Sequence, residues 1–209
     1  MEMNVRCLEV GSMLANCYLV WCDETKEALV IDPGGEGGRI LAEIAREQLQ
    51  VKYIVNTHGH VDHITADAEV RSATGAKLMI HEEDAPLLGK PDLNLSAYVG
   101  SALQALRPDL LLHEGDEIAC GKQVHLKVLH TPGHTRGGIS LQTEGAIFTG
   151  DTLFASSIGR TDFPGGSYHD LIESIKNKIL VLDDACLIYP GHGPSSTVGY
   201  EREHNPFLG

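Results

Sequence analysis

The run Thr57-His58-Gly59-His60-Val61-Asp62-His63 follows directly on the apolar stretch Val51–Val55, so three imidazoles and a carboxylate crowd the end of a buried strand. Alternate side chains project from a strand tip, and a chain that turns at once into a helix aims the next two back toward the same point. Four potential metal ligands then converge, and the fold has to leave that strand end open to them.

The chain has 209 residues, 42% hydrophobic and 22% charged, enough to bury a sizeable core, and one domain over residues 1–209 is expected. Its 16 Lys+Arg against 29 Asp+Glu give a formal charge of -13. Such a field repels phosphate backbones, which argues against nucleic acid as a partner, and otherwise serves solubility. The start of the chain, with Glu2 and no apolar run before a small-residue cleavage site, does not read as a signal peptide. No stretch approaches the roughly 18 apolar residues of a membrane span. Cys7, Cys17, Cys22, Cys120 and Cys186 are odd in number and lack a C-x-x-C pair, which reads as reduced thiols, small buried hydrophobes within strands, in a cytoplasmic protein.

Val5–Val10, Cys17–Cys22 and Ala28–Ile31 read as strands, closed by the turn signal Asp32-Pro33-Gly34-Gly35. A helix follows through Ile40, Leu41, Ile44, Ala45 and Leu49, then the strand Val51–Val55. After the ligand run, Ile64–Thr74 is predicted helical with Gly75 as its stop, and Lys77–His81 a strand. From Pro86 to Gly115 proline and glycine break the pattern into loop and one helix, a covering segment. Strands resume at Val124–Leu129, Gly138–Gln142, Ala146–Phe148 and Leu187–Tyr189, with a helix from Tyr168 to about Leu182 capped by Ser167 and Asp170. Ala28-Leu29-Val30-Ile31-Asp32 also echoes Ala146-Ile147-Phe148-Thr149-Gly150-Asp151, a faint duplication that places two similar halves about one site.

Three more potential ligands sit among glycines at strand ends: His134 in Thr131-Pro132-Gly133-His134, Asp151 in Thr149-Gly150-Asp151-Thr152, and His192 in Tyr189-Pro190-Gly191-His192-Gly193. Together with the first run they make five histidines and two aspartates. Seven N and O donors are too many for one tetrahedral ion and suit two ions sharing a carboxylate and a hydroxide.

These motifs, in this order, resemble those of the metallo-β-lactamase superfamily over essentially the whole chain. Within it, Gly150-Asp151-Thr152-Leu153-Phe154 followed by Gly159-Arg160 is similar to the hydroxyacylglutathione hydrolases, the glyoxalase II branch. The resemblance implies an α/β fold, a four-layer αββα sandwich with the metals at one edge of the paired sheets. It implies that His58, His60 and His134 hold a first divalent ion, that Asp62, His63 and His192 hold a second, and that Asp151 bridges them. Zinc leads, although imidazole and carboxylate donors suit iron and manganese too. The implied substrate is a small-molecule, glutathione-linked thioester such as S-lactoylglutathione. Arg160 matches by offset a cationic position that contacts glutathione's carboxylate in that branch, with a structural pairing to Asp162 as the equal alternative. Two departures stand out: Asp162 replaces a frequent aromatic residue, and the chain stops at Gly209 without the extra helical C-terminal domain of longer members.

The chemistry of the residues agrees. Metal coordination brings the pKa of water to about 7 in the best cases, and Asp62 is placed to orient the resulting nucleophile as well as to ligate. A thiol with pKa around 8.5 leaves as thiolate without a dedicated acid. The run Gly159-Arg160-Thr161-Asp162-Phe163 is also similar to persulfide dioxygenases, which use one iron held by two His and one Asp, but His192 in Pro-Gly-His-Gly-Pro departs from their usual pattern. A lactonase needs the same centre. A β-lactamase is disfavoured by the missing export signal and by Asp151 where secreted members usually carry cysteine, and a nuclease by the charge. A metal-stabilised binding module is the non-enzymatic alternative. His81, His113, His125, His130, His169 and His204 are read as surface or structural groups, and Tyr189 as a strand residue packed beside Pro190.

Overall fold

A computed structural model describes residues 3–100 and 103–209; Glu2 and residues 101–102 of the covering segment lie outside the described residues. The first half runs β1 (Asn4–Val10), β2 (Ala15–Trp21), β3 (Glu27–Ile31), α1 (Gly37–Arg46), β4 (Gln50–Val55), α2 (Val61–Ile64), α3 (Asp67–Thr74), β5 (Lys77–His81), α4 (Ser96–Val99) and β6 (Leu110–Leu112). The second runs β7 (Glu117–Cys120), β8 (Val124–His130), β9 (Ile139–Thr143), β10 (Ala146–Gly150), β11 (Leu153–Phe154), β12 (Ser157–Ile158), α5 (Tyr168–Ser174), β13 (Leu187–Pro190), β14 (Ser196–Thr197) and α6 (Val198–His204).

The strands form two six-stranded sheets, ordered β1-β2-β3-β4-β5-β6 and β14-β13-β10-β9-β8-β7, with β11 and β12 as a separate hairpin. Side-chain alternation explains how they stack. In β2, Cys17, Leu19 and Trp21 join a core with Ile40 and Ile44 of α1 and Val70 of α3, while Tyr18 and Val20 point the other way. Those inward residues, with Leu29, Ile31 and Val55, meet Ile118, Leu126, Val128, Leu141 and Phe148 of the second sheet. Behind that sheet, Leu129, Ile147 and Ile188 pack on Leu171, Ile175 and Ile179. The result is a four-layer αββα sandwich. Covering both faces also explains why the central strands read as continuous apolar runs.

Four sequence expectations are corrected. The helix expected over Ile64–Thr74 is broken, because Ala66 N donates to Pro33 O at 2.8 Å and turns the chain between α2 and α3. Gly75, at φ 70°, does end α3. The helix from Tyr168 changes to a π-turn over Ile175–Ile179, which keeps both of those isoleucines buried, and Ser167 Oγ accepts from Asp170 N as its cap. Strands β6 and β7 lie in or beside the expected loop segment and were too short to stand out, and Cys7 is exposed rather than buried.

Candidate metal centre

Strands β3, β4 and β5 are parallel neighbours, as are β10 and β13, so their carboxyl ends open on one edge of the sandwich. That edge collects every ligand candidate named from the sequence. His58 and His60 follow β4, Asp62 and His63 open α2, His134 follows β8, Asp151 follows β10 and His192 follows β13. Side-chain donor atoms of His58, His60 and His134 lie within 4.8 Å of one another, and so do those of Asp62, His63 and His192. Asp151 stands between these groups: Oδ1 is 3.3 Å from His63 Nε2, and Oδ2 is 3.6 Å from His134 Nε2 and 3.7 Å from His192 Nε2.

Surrounding hydrogen bonds set which ring nitrogen each histidine offers. Thr57 donates its hydroxyl to Asp32 Oδ2 at 2.6 Å, so its oxygen is left to accept from His58 Nδ1 at 3.1 Å. The His58 Nε2 lone pair is thereby turned into the site. His63 Nδ1 donates to Asp32 Oδ2 at 3.0 Å, and His134 Nδ1 to the Arg160 carbonyl at 2.7 Å, with the same consequence for their Nε2 atoms. His60 Nδ1 and His134 Nε2 approach to 2.9 Å, and His192 Nε2 lies 3.1 Å from Asp62 Oδ2.

The fit to metal rests on atoms left without partners. His58 Nε2 and Asp151 Oδ1 are buried and make no hydrogen bond, a costly state for polar atoms that a bound cation relieves, while His60 turns Nδ1 toward His134 Nε2. Protonation agrees. Burial, aided by His63, drives His58 well below its ordinary range, and burial with His134 holds His60 at about 3. Burial pushes Asp62 and Asp151 up, but the surrounding histidines together, His63 with His192 for Asp62 and His63 with His58 and His134 for Asp151, leave both below the usual carboxylate range. Burial pulls His63 down, yet Asp151 and Asp62 raise it well above the ordinary value. Burial pulls His192 down as well, but Asp62 and Asp151 raise it, so His63 and His192 are the two rings that favour a proton here and would have to release it to ligate.

Residues 10–192 match the family model described as the metallo-beta-lactamase superfamily. The chain belongs to that superfamily. It is 38% identical to a hydroxyacylglutathione hydrolase, GloC, of Haemophilus influenzae, across 99% of this chain and 98% of the relative. Among solved structures it is similar to the BLEG-1 B3 metallo-beta-lactamase, with a TM-score of 0.93 and 38% identity over 98% of this chain and 99% of that one. It is also similar to TTHA1623 in a di-iron-bound form, with a TM-score of 0.87 and 34% identity over 97% of this chain and 100% of that one.

As in an enzyme pocket, the superfamily edge carries a cavity of 760 Å³ beside the ligands. Met13, Val61, Leu95, Tyr98, Val99, Phe154, Ile158 and Phe163 make its walls mostly apolar, so the covering segment does reach the site through Leu95 and α4. Arg160 lines it too, but its side chain is paired with Asp162. The remaining histidines do not line this cavity. His81 stacks on His130 at 4.1 Å outside the cavity, and Tyr189 stacks on Phe148 between the sheets at 5.0 Å.

Two functional carboxylates escaped the sequence reading. Asp32, read only as a turn residue, holds Thr57 and His63 from a left-handed backbone at φ 51°. Its signal was present in the duplication that aligns it with Asp151. Asp84 accepts from Gly59 N at 3.0 Å, Thr135 Oγ1 at 2.8 Å and Gly137 N at 2.7 Å, tying the two loops that present His58, His60 and His134. No local motif marks it.

Proposed function

We propose that this chain is a dinuclear metal-dependent hydrolase of glutathione thioesters of the S-lactoylglutathione kind. The observation that carries the reading is the pair of three-residue donor groups flanking Asp151, whose side chain is 11% exposed. His58, His60 and His134 would hold one ion, Asp62, His63 and His192 the other, and Asp151 would face both. Bound there, two divalent cations supply an activated water and an electrophile for the thioester carbonyl, with zinc first and iron or manganese as alternatives. The GloC relative supports the thioester, and the di-iron-bound neighbour supports a two-metal centre.

The residues themselves divide the remaining work. Asp62, ionised and held by His192, orients the attacking water as an acceptor. Asp32 fixes the His63 ring and Asp84 fixes the loop geometry of the first group. The apolar walls shed water around the acyl group, and the thiolate leaves without an acid. Free cysteines fit a reducing cytoplasm as its location, with no nucleic acid or membrane as partner.

The test is thiol release from S-lactoylglutathione by protein carrying measured amounts of zinc, iron or manganese. Turnover that requires about two ions per chain supports the proposal, and a fully loaded protein without thioester cleavage overturns it. A second reading, a mononuclear-iron persulfide dioxygenase, is favoured by the run Gly159–Phe163. Oxygen uptake with glutathione persulfide at one iron per chain would replace the first reading with this one.

A further inference from the structure

Arg160 is the one lysine or arginine among the described residues lining the metal cavity. Its guanidinium is already engaged. Nε donates to Asp162 Oδ1 at 3.0 Å and Nη2 to Oδ2 at 2.7 Å, a two-pronged grip on a carboxylate. The same group lies over the Phe163 ring at 4.2 Å, and that ring presents its face or edge to His60 at 5.7 Å and His134 at 6.4 Å. The Arg160 carbonyl also accepts from His134, which anchors the backbone of this residue beside the first donor group.

A carboxylate on the thiol half of a substrate needs the same fork that Asp162 now fills. We infer that Asp162 is a specificity-determining residue, an internal carboxylate that competes with substrate carboxylates for Arg160 and so weakens the preference for anionic thioesters. The inference rests on the thioester reading above. Both side chains are about two-thirds exposed, at 65% and 66%, so water and salt reach the pair and it exchanges rather than locks. Exchange leaves Asp162 unpaired near the incoming carboxylate, and that repulsion persists in the complex. Neutral thioesters avoid this competition and use the apolar walls formed by Met13, Leu95, Phe154 and Ile158.

The experiment compares two thioesters that share one acyl group, one of glutathione and one of N-acetylcysteamine, on metal-loaded wild type, Asp162→Asn and Arg160→Gln/Asp162→Asn. In the wild type the two kcat/KM values fall within about tenfold of each other. In Asp162→Asn their ratio moves about two- to fivefold toward glutathione, through KM, and the gain fades at high salt and disappears in the double variant. Equilibrium binding of S-methylglutathione, which needs no turnover, tightens by a similar factor in Asp162→Asn. An unchanged ratio with unchanged binding, or an equal change for both thioesters, overturns the inference. If neither thioester is cleaved, the hydrolase reading fails, while the binding measurement still decides whether Asp162 competes for Arg160.

Discussion

The Asp32 carboxylate meets His63 Nδ1 at 3.0 Å with both side chains buried, and the same carboxylate takes the Thr57 amide at 2.7 Å and hydroxyl at 2.6 Å. One group thus orients two rings, His63 directly and His58 through Thr57. Asp32→Ala frees His63 to rotate and removes the acceptor that sets the Thr57 hydroxyl. Metal affinity or thioester turnover is expected to fall about 10- to 100-fold, as is usual when a partner behind a ligand is lost. Metal titration against a competing chelator measures this, and wild-type affinity would remove Asp32 from the positioning role.

Asp84 presents a different kind of dependence, since it touches no ligand side chain. Its two oxygens accept three hydrogen bonds from the Gly59 and Thr135–Gly137 loops. Asp84→Asn places an amide N–H against one of those donors and leaves it unpaired at a buried position, at a cost of about 1–3 kcal/mol. At about 2–4 °C per kcal/mol for a chain of this size, the melting midpoint should drop by roughly 3–10 °C. The first donor group should lose metal before the second. A melting curve of unchanged midpoint with full metal content refutes this.

Acid sensitivity should come partly from outside the metal centre. Burial, helped by the stacked His130 and by His113 and opposed by Glu82 and Glu114, pushes His81 down from its ordinary 6.5 to about 4. The unfolded chain therefore binds a proton at this position between those values and the folded chain does not. Stability falls as pH drops from 6.5 to about 4, then levels, with about 2–3 kcal/mol at stake. His81→Gln keeps an acceptor for the Glu83 amide and removes the titration. Denaturant midpoints measured across that window should flatten in the variant, and a parallel pair of curves would assign the acid loss elsewhere.

Much of this site was legible because metal chemistry confines its ligands to a few residue types placed at strand ends. The seven candidates stand together in space, but donor distances alone do not divide them in two, because Asp32, His58 and His63 form a third cluster across the two groups that the resemblance implies. Asp84 was illegible for a physical reason: its partners are backbone amides and a threonine brought together from distant loops, and no spacing announces such a contact. The break between α2 and α3 was hidden likewise, because it depends on a hydrogen bond from Ala66 to Pro33 across the fold. The apolar core strands were easy, while β6 is a three-residue edge strand with Leu110 and Leu111 exposed, against the usual pattern.

Gly191 offers the sharpest test of the shared position of Asp151. A Cβ there would lie 2.2 Å from Asp151 Oδ1 and 2.9 Å from His63 Cε1, well inside contact distance. The backbone has little room to yield, because Gly191 N donates to Gly150 O at 2.8 Å and Gly191 O accepts from Asn16 N at 2.7 Å. The carboxylate is the part that moves, so Gly191→Ala should displace Asp151 from between the donor groups while leaving the strands paired. Bound metal is expected to fall below two per chain, and kcat/KM by about 100-fold or more, since one misplaced ångström at a reacting centre costs about that much. Circular dichroism should stay close to wild type. A Gly191→Ala protein with two metals and normal turnover would show that Asp151 need not occupy the position between the two groups.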